Sequence, residues 1–204
     1  EIDRTGAQVI LDFTHPSVVK DNVITALTSG AHAVVGTTGL SEADLEELRS
    51  ITVDTGKVAF ICPNFAIGAI LMMQFSKQAA QYLPHVEIIE YHHDQKADSP
   101  SGTAIKTAEY IAEGSDNLNP GLARLKASEL IPGSRGGDKA GIAIHSLRLP
   151  GYVASQEVVF GGLAQTLTIR HDTIHRESFM PGVILAIEKV SGLEGLVYGL
   201  ENVL

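Results

Sequence analysis

Residues 90–104, EYHHDQKADSPSGTA, bring several reactive side chains together in an otherwise apolar part of the chain. His92, His93 and Lys96 stand just before a Ser-Gly-Thr turn. Histidine titrates near neutral pH, and burial can tune a lysine ammonium. A helix that starts after Pro100, capped by Ser101 or Thr103, would add N–H groups and a positive dipole end that suit a carboxylate. The pattern predicts a pocket that holds a small dianion and exchanges protons with it.

A metal site and a polar surface loop before a capped helix are the alternatives for this stretch. Adjacent strand residues point to opposite faces, so His92 and His93 would share a metal only if the strand ended before them. No third ligand stands at a spacing typical of zinc sites. The sequence therefore predicts no metal here, while a metal-dependent hydrolase using His92, His93 and Asp98 is kept as a minor alternative.

Two turns in the first third of the chain are candidates for binding a second ligand. The turn GTTG, residues 36–39, follows a predicted strand and precedes a helix, and CPNFAIG, residues 62–68, repeats this arrangement on the next strand. Backbone N–H groups of such turns face ligands at the carboxyl edge of a parallel sheet. Each turn alone is ordinary, but two on successive strands favour a binding site.

The elements that position these residues change character near residue 65. Before it, apolar runs alternate with amphipathic stretches in a β-α-β-α-β order, which is typical of a parallel, right-handed α/β sheet. Thr14 is a candidate cap for the first helix, and Ser41 with Asp44 has capping-box spacing for the second. The fold class predicted is α/β plus α+β: a partial Rossmann-like parallel sheet, then a mixed-sheet substrate and oligomerisation domain.

The second part of the chain is predicted from its own patterns. A helix over about 66–83 leads to a strand at 85–93, the polar loop and a helix from about 102 to 113. Residues 114–138 read as a long loop. Runs at 140–151 and 154–172 suggest an antiparallel pair, and a last helix begins near Pro181.

Composition excludes several classes of function. The 204 residues carry 15 Lys and Arg against 24 Asp and Glu, a net charge of −9, which argues against nucleic-acid binding. The uncharged stretch 58–76 is long enough for a membrane span, but Pro63 and Asn64 interrupt it, so it predicts a buried strand and helix instead. A single cysteine and no signal-peptide pattern favour the cytoplasm, or a plastid stroma if the source is a plant.

Residues 90–104 strongly resemble the signature of the dihydrodipicolinate reductase family. Four further segments resemble that family in the same order, and the resemblance covers nearly the whole chain: DFTHP, GTTG, CPNFAIG and TIRHDTIHRESF. It implies hydride transfer from NADH or NADPH to the cyclic imine dicarboxylate 4-hydroxy-tetrahydrodipicolinate, giving tetrahydrodipicolinate and water in the diaminopimelate route to lysine. It also implies a homotetramer.

The resemblance also implies roles for individual residues. His92 takes the place of the proton donor and acceptor, and Lys96 that of the proton donor. Substrate-binding positions, to which the helix start adds Ser101, are His93, Ser101, Gly102, Thr103 and Arg176. Cofactor-binding positions are Gly36, Thr37, Thr38, Cys62, Pro63, Asn64 and Phe65.

The domains expected are a partial dinucleotide-binding domain at 1–65, a substrate and tetramerisation domain at 66–190, and a tail at 191–204 that packs back on the first. The family's first strand and glycine-rich phosphate turn are not found in the sequence. We therefore expect good cofactor binding to need residues upstream of Glu1, and the preference for NADH or NADPH is not encoded here. A non-catalytic dicarboxylate-binding fragment is the second candidate function.

Overall fold

The chain forms two compact units in a computed structural model that describes residues 2–121 and 129–204. The first unit is Glu1–Ile67 with Glu177–Leu204, and the second is Gly68–Arg176. The sequence had placed domain boundaries after residues 65 and 190, and had assigned the last helix to the second domain. In the structure that helix clusters with the first unit. Part of the predicted loop 114–138, residues 122–128, lies outside the described residues.

Strands and helices alternate in the first unit and give way to strand pairs in the second. The helices are α1 (Ile2–Thr5), α2 (Val19–Thr28), α3 (Glu42–Thr55), α4 (Ile67–Ala80), α5 (Gly102–Gly114) and α6 (Met180–Lys189), with 3₁₀ turns at Arg176–Phe179, Val190–Gly192 and Leu200–Asn202. The strands are β1 (Val9–Asp12), β2 (His32–Val35), β3 (Ala59–Ile61), β4 (His85–His92), β5 (Gly137–Lys139), β6 (Ile142–Arg148), β7 (Ala154–Gly162), β8 (Gln165–Thr173) and β9 (Leu196–Tyr198).

The first unit is built on a parallel sheet in the order β1-β2-β3-β9. Apolar residues of β2 and β3 supply its core together with the inner faces of α2 and α3, and Ile10 of β1 packs against this core while partly buried. The capping box predicted for α3 is present, because Ser41 accepts from the Asp44 amide and Asp44 accepts from the Ser41 amide. The predicted parallel α/β arrangement is confirmed for this unit.

The start of α2 differs from the sequence prediction. The helix begins at Val19, and its N-cap Val18 makes no side-chain cap. Thr14, predicted as the cap, instead donates its hydroxyl to the Asp12 carboxylate at 3.0 Å. Residues between them form a turn in which the His15 carbonyl accepts from the Val18 and Val19 amides. Thr14 therefore belongs to the end of β1 rather than to the helix.

The second unit is built on a mixed sheet in the order β5-β6-β4-β7-β8. Val86, Ile88 and Glu90 occupy alternate positions of β4 and are buried, as period-2 geometry requires of one sheet face. Helices α4 and α5 cover this face: Gln156 of β7 donates to the Thr107 hydroxyl of α5 at 2.8 Å and to the Met72 sulfur of α4 at 3.9 Å. The predicted mixed sheet is confirmed.

The strand pairing predicted for residues 140–172 is wrong. Strand β4 lies between β6 and β7, pairing parallel with the first and antiparallel with the second. The run 154–172 is itself the hairpin β7–β8, which turns at Leu163 and Ala164. The glycine-rich GGLA segment between two alternating runs is a hairpin signal.

The uncharged stretch 58–76 divides between β3 and the start of α4. Within residues 2–121 and 129–204, none of the helices has the length and apolar character needed to cross a bilayer.

Gly182 sets how closely α6 packs on the first unit. A Cβ atom at this position would overlap the carbonyl oxygen of Phe65, which is backbone and cannot rotate away. We expect Gly182→Ala to lower stability by about 1–3 kcal/mol, as overpacking does, and the melting temperature by several degrees. Thermal unfolding measures this. Gly192→Ala is the matched control, because a Cβ there meets nothing within 4 Å, and equal shifts in both variants would contradict the packing account.

Candidate active site

The polar loop of residues 93–100 joins the end of β4 to the start of α5. His92 is the last residue of the strand and is partly buried, whereas His93 is exposed in the loop. Ser101 is the N-cap of α5, and its hydroxyl accepts from the Ala104 amide at 3.2 Å. The structure thus brings His92, Lys96 and the helix start together around one short loop, as their sequence spacing predicts.

A buried carboxylate that the sequence analysis did not single out organises this region. Glu90 lies on the helix-covered face of β4 and its exposed fraction is 0%. Its Oε2 lies 2.5 Å from Nδ1 of His92, and its Oε1 accepts from the Ser101 amide at 3.2 Å. Arg148 of β6 donates to both oxygens at 2.9 Å. One side chain therefore links two strands and the N-terminus of α5.

These contacts decide the charge of Glu90. Burial alone would raise its pKa, because a buried carboxylate loses hydration. Hydrogen bonds from the side chains of His92, Arg148 and Ser146 outweigh burial and lower the pKa of Glu90 to about 2. Glu90 is therefore ionised at neutral pH, and an ionised carboxylate only accepts hydrogen bonds.

Arg148 fixes the polar loop from the neighbouring strand. Its Nε donates to the Lys96 carbonyl at 3.2 Å, and its terminal nitrogens donate to the carbonyls of Leu147 and Asp98 at 2.8 and 2.6 Å, besides the two bonds to Glu90. A guanidinium has five N–H donors, so every donor of Arg148 has a partner within the protein. Arg148 therefore holds the loop instead of facing a ligand.

Lys96 pairs with a carboxylate of its own loop. Its Nζ lies 2.7 and 2.8 Å from the two oxygens of Asp98, whose side chain is 60% exposed. The pair with Lys96 lowers the pKa of Asp98. The ammonium is thus already placed to hold a carboxylate on both oxygens, at a position that solvent reaches.

The remaining predicted substrate residues fall into two groups. Gly102 and Thr103 form the first turn of α5, directly after the Ser101 cap. The Ser101 amide is bonded to Glu90, and its hydroxyl to Ala104, so both groups are used within the protein. Arg176 is exposed in the 3₁₀ turn at the end of the second unit, and among the described residues no hydrogen bond or ion pair joins it to the polar loop.

Two of the three residues of the metal alternative have partners within the protein. His92 bonds to Glu90, and Asp98 to Lys96. Over the two described ranges, no group of three His, Cys, Asp or Glu side chains is arranged to hold a metal ion.

The two turns predicted to bind cofactor lie side by side in the first unit. Strands β2 and β3 are adjacent and parallel, with Val35 opposite Ile61, and the Cys62 amide donates to the Val35 carbonyl at 2.8 Å. Residues 36–38 and 62–65 therefore leave the same edge of the sheet. Thr38 and Pro63 are exposed there, which places one residue of each turn where a ligand can reach it.

Asp12 fixes the first of these turns from the end of β1. Its carboxylate accepts from the hydroxyls of Thr37 at 2.5 Å and Thr14 at 3.0 Å, and from the Asn22 amide at 2.8 Å. Thr37 in turn accepts from the Thr14 backbone at 2.7 Å. Burial opposes ionisation of Asp12, but hydrogen bonds from Thr37, Asn22 and Thr14 outweigh it, so the pKa of Asp12 lies below its ordinary value.

The second turn is held by its own side chains. The Cys62 thiol donates to the Asn64 carbonyl at 3.0 Å, and Asn64 Oδ1 accepts from the Ala66 amide at 2.9 Å. Burial raises the pKa of Cys62 to about 12, which leaves the thiol protonated. Phe65 is 2% exposed and its ring packs on the ring of Phe13, with 5.6 Å between the two ring centroids. The buried side chains of Cys62 and Phe65 therefore hold this turn from the protein interior.

Comparison with known proteins identifies the family. Residues 1–65 match the family described as dihydrodipicolinate reductase, N-terminus, and residues 68–204 match its C-terminus. The chain belongs to the dihydrodipicolinate reductase family. Curated relatives named 4-hydroxy-tetrahydrodipicolinate reductase include one from Desulfitobacterium hafniense, 57% identical over 203 residues, and one from Bacillus subtilis, 54% identical over 201 residues. These alignments cover 100% and 98% of this chain and 75% and 74% of the relatives.

A solved structure of the family has the same fold. The dipicolinate-bound dihydrodipicolinate reductase from Paenisporosarcina sp. TG-14 is 45% identical, with a TM-score of 0.90. The match covers 100% of this chain and 76% of that protein. The recognition made from residues 90–104 is therefore confirmed, and the polar loop described above belongs to a dihydrodipicolinate reductase fold.

Two residues of the site, Glu90 and Arg148, were missed by sequence reasoning. A signal for Glu90 was present, because period-2 alternation places it on the same face as Val86 and Ile88. Arg148 gave no such signal, because only the parallel pairing of β4 with β6 brings it opposite His92.

We expect Asp12→Asn to destabilise the first unit. The new amide would present N–H groups to a site where Thr14, Asn22 and Thr37 all donate, leaving donors unsatisfied. The expected loss is about 1–3 kcal/mol in the free energy of unfolding at neutral pH, measured by urea denaturation. Because the folded pKa of Asp12 is lowered, its contribution is present above its unfolded pKa and is lost as pH falls through the folded value.

Asp54→Asn is the matched control for this prediction. Asp54 is exposed on α3, so removing its charge should change stability by less than about 0.5 kcal/mol. The difference in unfolding free energy between Asp12→Asn and the wild type should therefore shrink as the pH falls, while the difference for Asp54→Asn stays small. A loss at Asp12 no larger than that at Asp54 would argue against the network.

Proposed function

We propose that this chain is a 4-hydroxy-tetrahydrodipicolinate reductase of the diaminopimelate route to lysine. The substrate is a cyclic imine with two carboxylates; it loses water from its hydroxylated carbon and gains a hydride and a proton, giving tetrahydrodipicolinate. The observation that carries this proposal is the loop that sets His92 and Lys96 at the start of α5, in a chain that matches the family from end to end. A cytoplasmic homotetramer is part of the proposal.

His92 and Lys96 carry the proton transfers in this proposal. An imidazole can donate or accept a proton near neutral pH, and an ammonium can donate one to the departing hydroxyl group. Lys96 already holds the Asp98 carboxylate on two oxygens, which is the geometry that a substrate carboxylate needs. On substrate binding, a substrate carboxylate would replace the Asp98 carboxylate at the Lys96 ammonium.

In this proposal the dicarboxylate is held by the start of α5, His93 and Arg176. Gly102 and Thr103 offer backbone N–H groups at the positive end of the helix dipole. His93 is exposed in the loop that precedes the helix, and the proposal assigns the second carboxylate to the guanidinium of Arg176. Ser101 supports this end by capping the helix and by tying it to Glu90.

A nicotinamide dinucleotide, NADH or NADPH, supplies the hydride when bound to the first unit. The residues present fit such a group, because the two turns are uncharged, leave the same edge of the sheet and expose Thr38 and Pro63 there. Gly36, Thr37 and Thr38 would contact it from one turn, and the backbone of residues 62–65 from the other. Turnover with each nucleotide in turn measures the preference between NADH and NADPH.

His92→Gln and Lys96→Ala test the assigned proton transfers. Loss of a positioned acid or base costs about 10²–10⁴-fold, so kcat of either variant should fall within that range. The assay uses the natural full-length protein, 4-hydroxy-tetrahydrodipicolinate and each nucleotide in turn, and follows nucleotide oxidation. Lys106→Ala is the control, because Lys106 pairs with its own helix neighbours Glu109 and Tyr110 and its loss should leave kcat unchanged.

Dipicolinate binding separates the competing functions. Calorimetry should show weaker dipicolinate binding in Lys96→Ala and near wild-type binding in His92→Gln. Dipicolinate binding without nucleotide oxidation in the wild type would favour a non-catalytic dicarboxylate-binding protein. A stoichiometric metal in the purified protein would favour the hydrolase. Near-normal turnover in either variant would overturn the role assigned to that residue.

A further inference from the structure

We propose that Glu90 is a positioning residue: its carboxylate binds Nδ1–H of His92 and leaves Nε2 as the nitrogen that exchanges a proton with the substrate. This inference rests on the proposed role of His92. Glu90 itself has an exposed fraction of 0%, so it contacts no substrate and acts only through the side chains around it.

The hydrogen-bond contacts decide which nitrogen of His92 carries the proton. The partner of Nδ1, 2.5 Å away, is an oxygen of Glu90 that already accepts from Arg148. A carboxylate in this setting only accepts, so Nδ1 must be the donor. Neutral imidazole has one N–H, which leaves Nε2 with its lone pair. Within residues 2–121 and 129–204, Nε2 of His92 has no hydrogen-bond partner.

The same carboxylate also resists turning away from His92. Two parallel bonds from the Arg148 guanidinium and one from the Ser101 amide hold its plane. Bidentate arginine–carboxylate pairs add geometric specificity to charge. Because β6 and α5 both bind Glu90, the carboxylate holds the His92 ring at Nδ1. Nε2 at the other edge is left to exchange a proton with the substrate, as in carboxylate–histidine pairs of other enzymes.

A second glutamate of β4 provides a matched comparison. Glu87 lies on the opposite face of the strand, where it contacts Arg135 and lies 2.7 Å from Nε2 of His145. The two sites therefore share a glutamate, a histidine and an arginine. Glu87 is far from the polar loop along the strand and its side chain is 33% exposed. A purely structural role for such triads would make the two glutamates equivalent.

Glu90→Gln tests the inference in the natural full-length protein. The amide keeps the shape of Glu90 but can present N–H groups, so Nδ1 of His92 is no longer required to donate. We expect kcat to fall about 10–100-fold, as for loss of a carboxylate that orients a functional histidine, with little change in KM for the nucleotide. Glu87→Gln should leave kcat unchanged.

NMR of the histidine ring nitrogens gives a readout that a structural role would not move. The wild type should show His92 as the Nδ1–H tautomer, and Glu90→Gln a mixture, while Glu87→Gln leaves His92 unaltered. If Glu90→Gln does not fold, Glu90→Asp keeps the charge and lengthens the His92 contact, and it should lower kcat with the fold retained.

The outcomes separate this inference from the proposed function. An inactive wild type with His92 as the Nδ1–H tautomer would contradict the reductase proposal alone. An active wild type with His92 in the Nε2–H form, or wild-type kcat in Glu90→Gln, would overturn the role of Glu90. Equal losses in Glu87→Gln and Glu90→Gln would overturn it as well.

Discussion

The second unit depends on keeping one ionised carboxylate inside the apolar face of a sheet. A charge in that position is costly unless it is paired and hydrogen-bonded. Glu90 meets this condition with donors from three places: His92 on its own strand, Arg148 on β6 and the Ser101 amide of α5. Satisfying the charge therefore fixes the strand end, the helix start and, through Arg148, the loop between them. The arrangement of the proposed site follows from this electrostatic requirement.

The first unit uses the same device with different donors. Asp12 is a buried acid at the end of β1, and hydroxyl and amide donors hold its pKa below the ordinary value. Through Thr37 it fixes the turn proposed to meet the nucleotide. Each unit thus has a buried acid near the carboxyl end of a strand that holds a neighbouring loop. In each unit the buried acid makes the neighbouring loop rigid, and the exposed residues of that loop can contact ligands.

Local patterns in the sequence predicted much of this structure. The strand and helix alternation, the Ser41 capping box and a cap at Ser101 or Thr103 depend on residues close in the chain. The structure has each of them, with Ser101 as the cap. The strand order of the second unit was not predicted, because β4 inserts between β6 and β7 only after distant segments meet. Non-local pairing leaves no periodic trace in the sequence.

The site shows the same division. His92, His93 and Lys96 lie within five positions, so their chemistry was visible in the sequence. Arg148 lies 58 residues from Glu90 and reaches it across a parallel strand pair, so its part in holding the loop could only be seen in three dimensions. The sequence thus predicted the reactive groups, and the structure adds the groups that hold them.

A double-mutant cycle in kcat between Glu90→Gln and His92→Gln tests most directly whether Glu90 acts through His92. If it does, Glu90→Gln should lose most of its effect when His92 is already replaced, and the combined loss should fall well short of the product of the two single losses. Losses that multiply would contradict the account, because they would mean that Glu90 and His92 contribute to turnover independently.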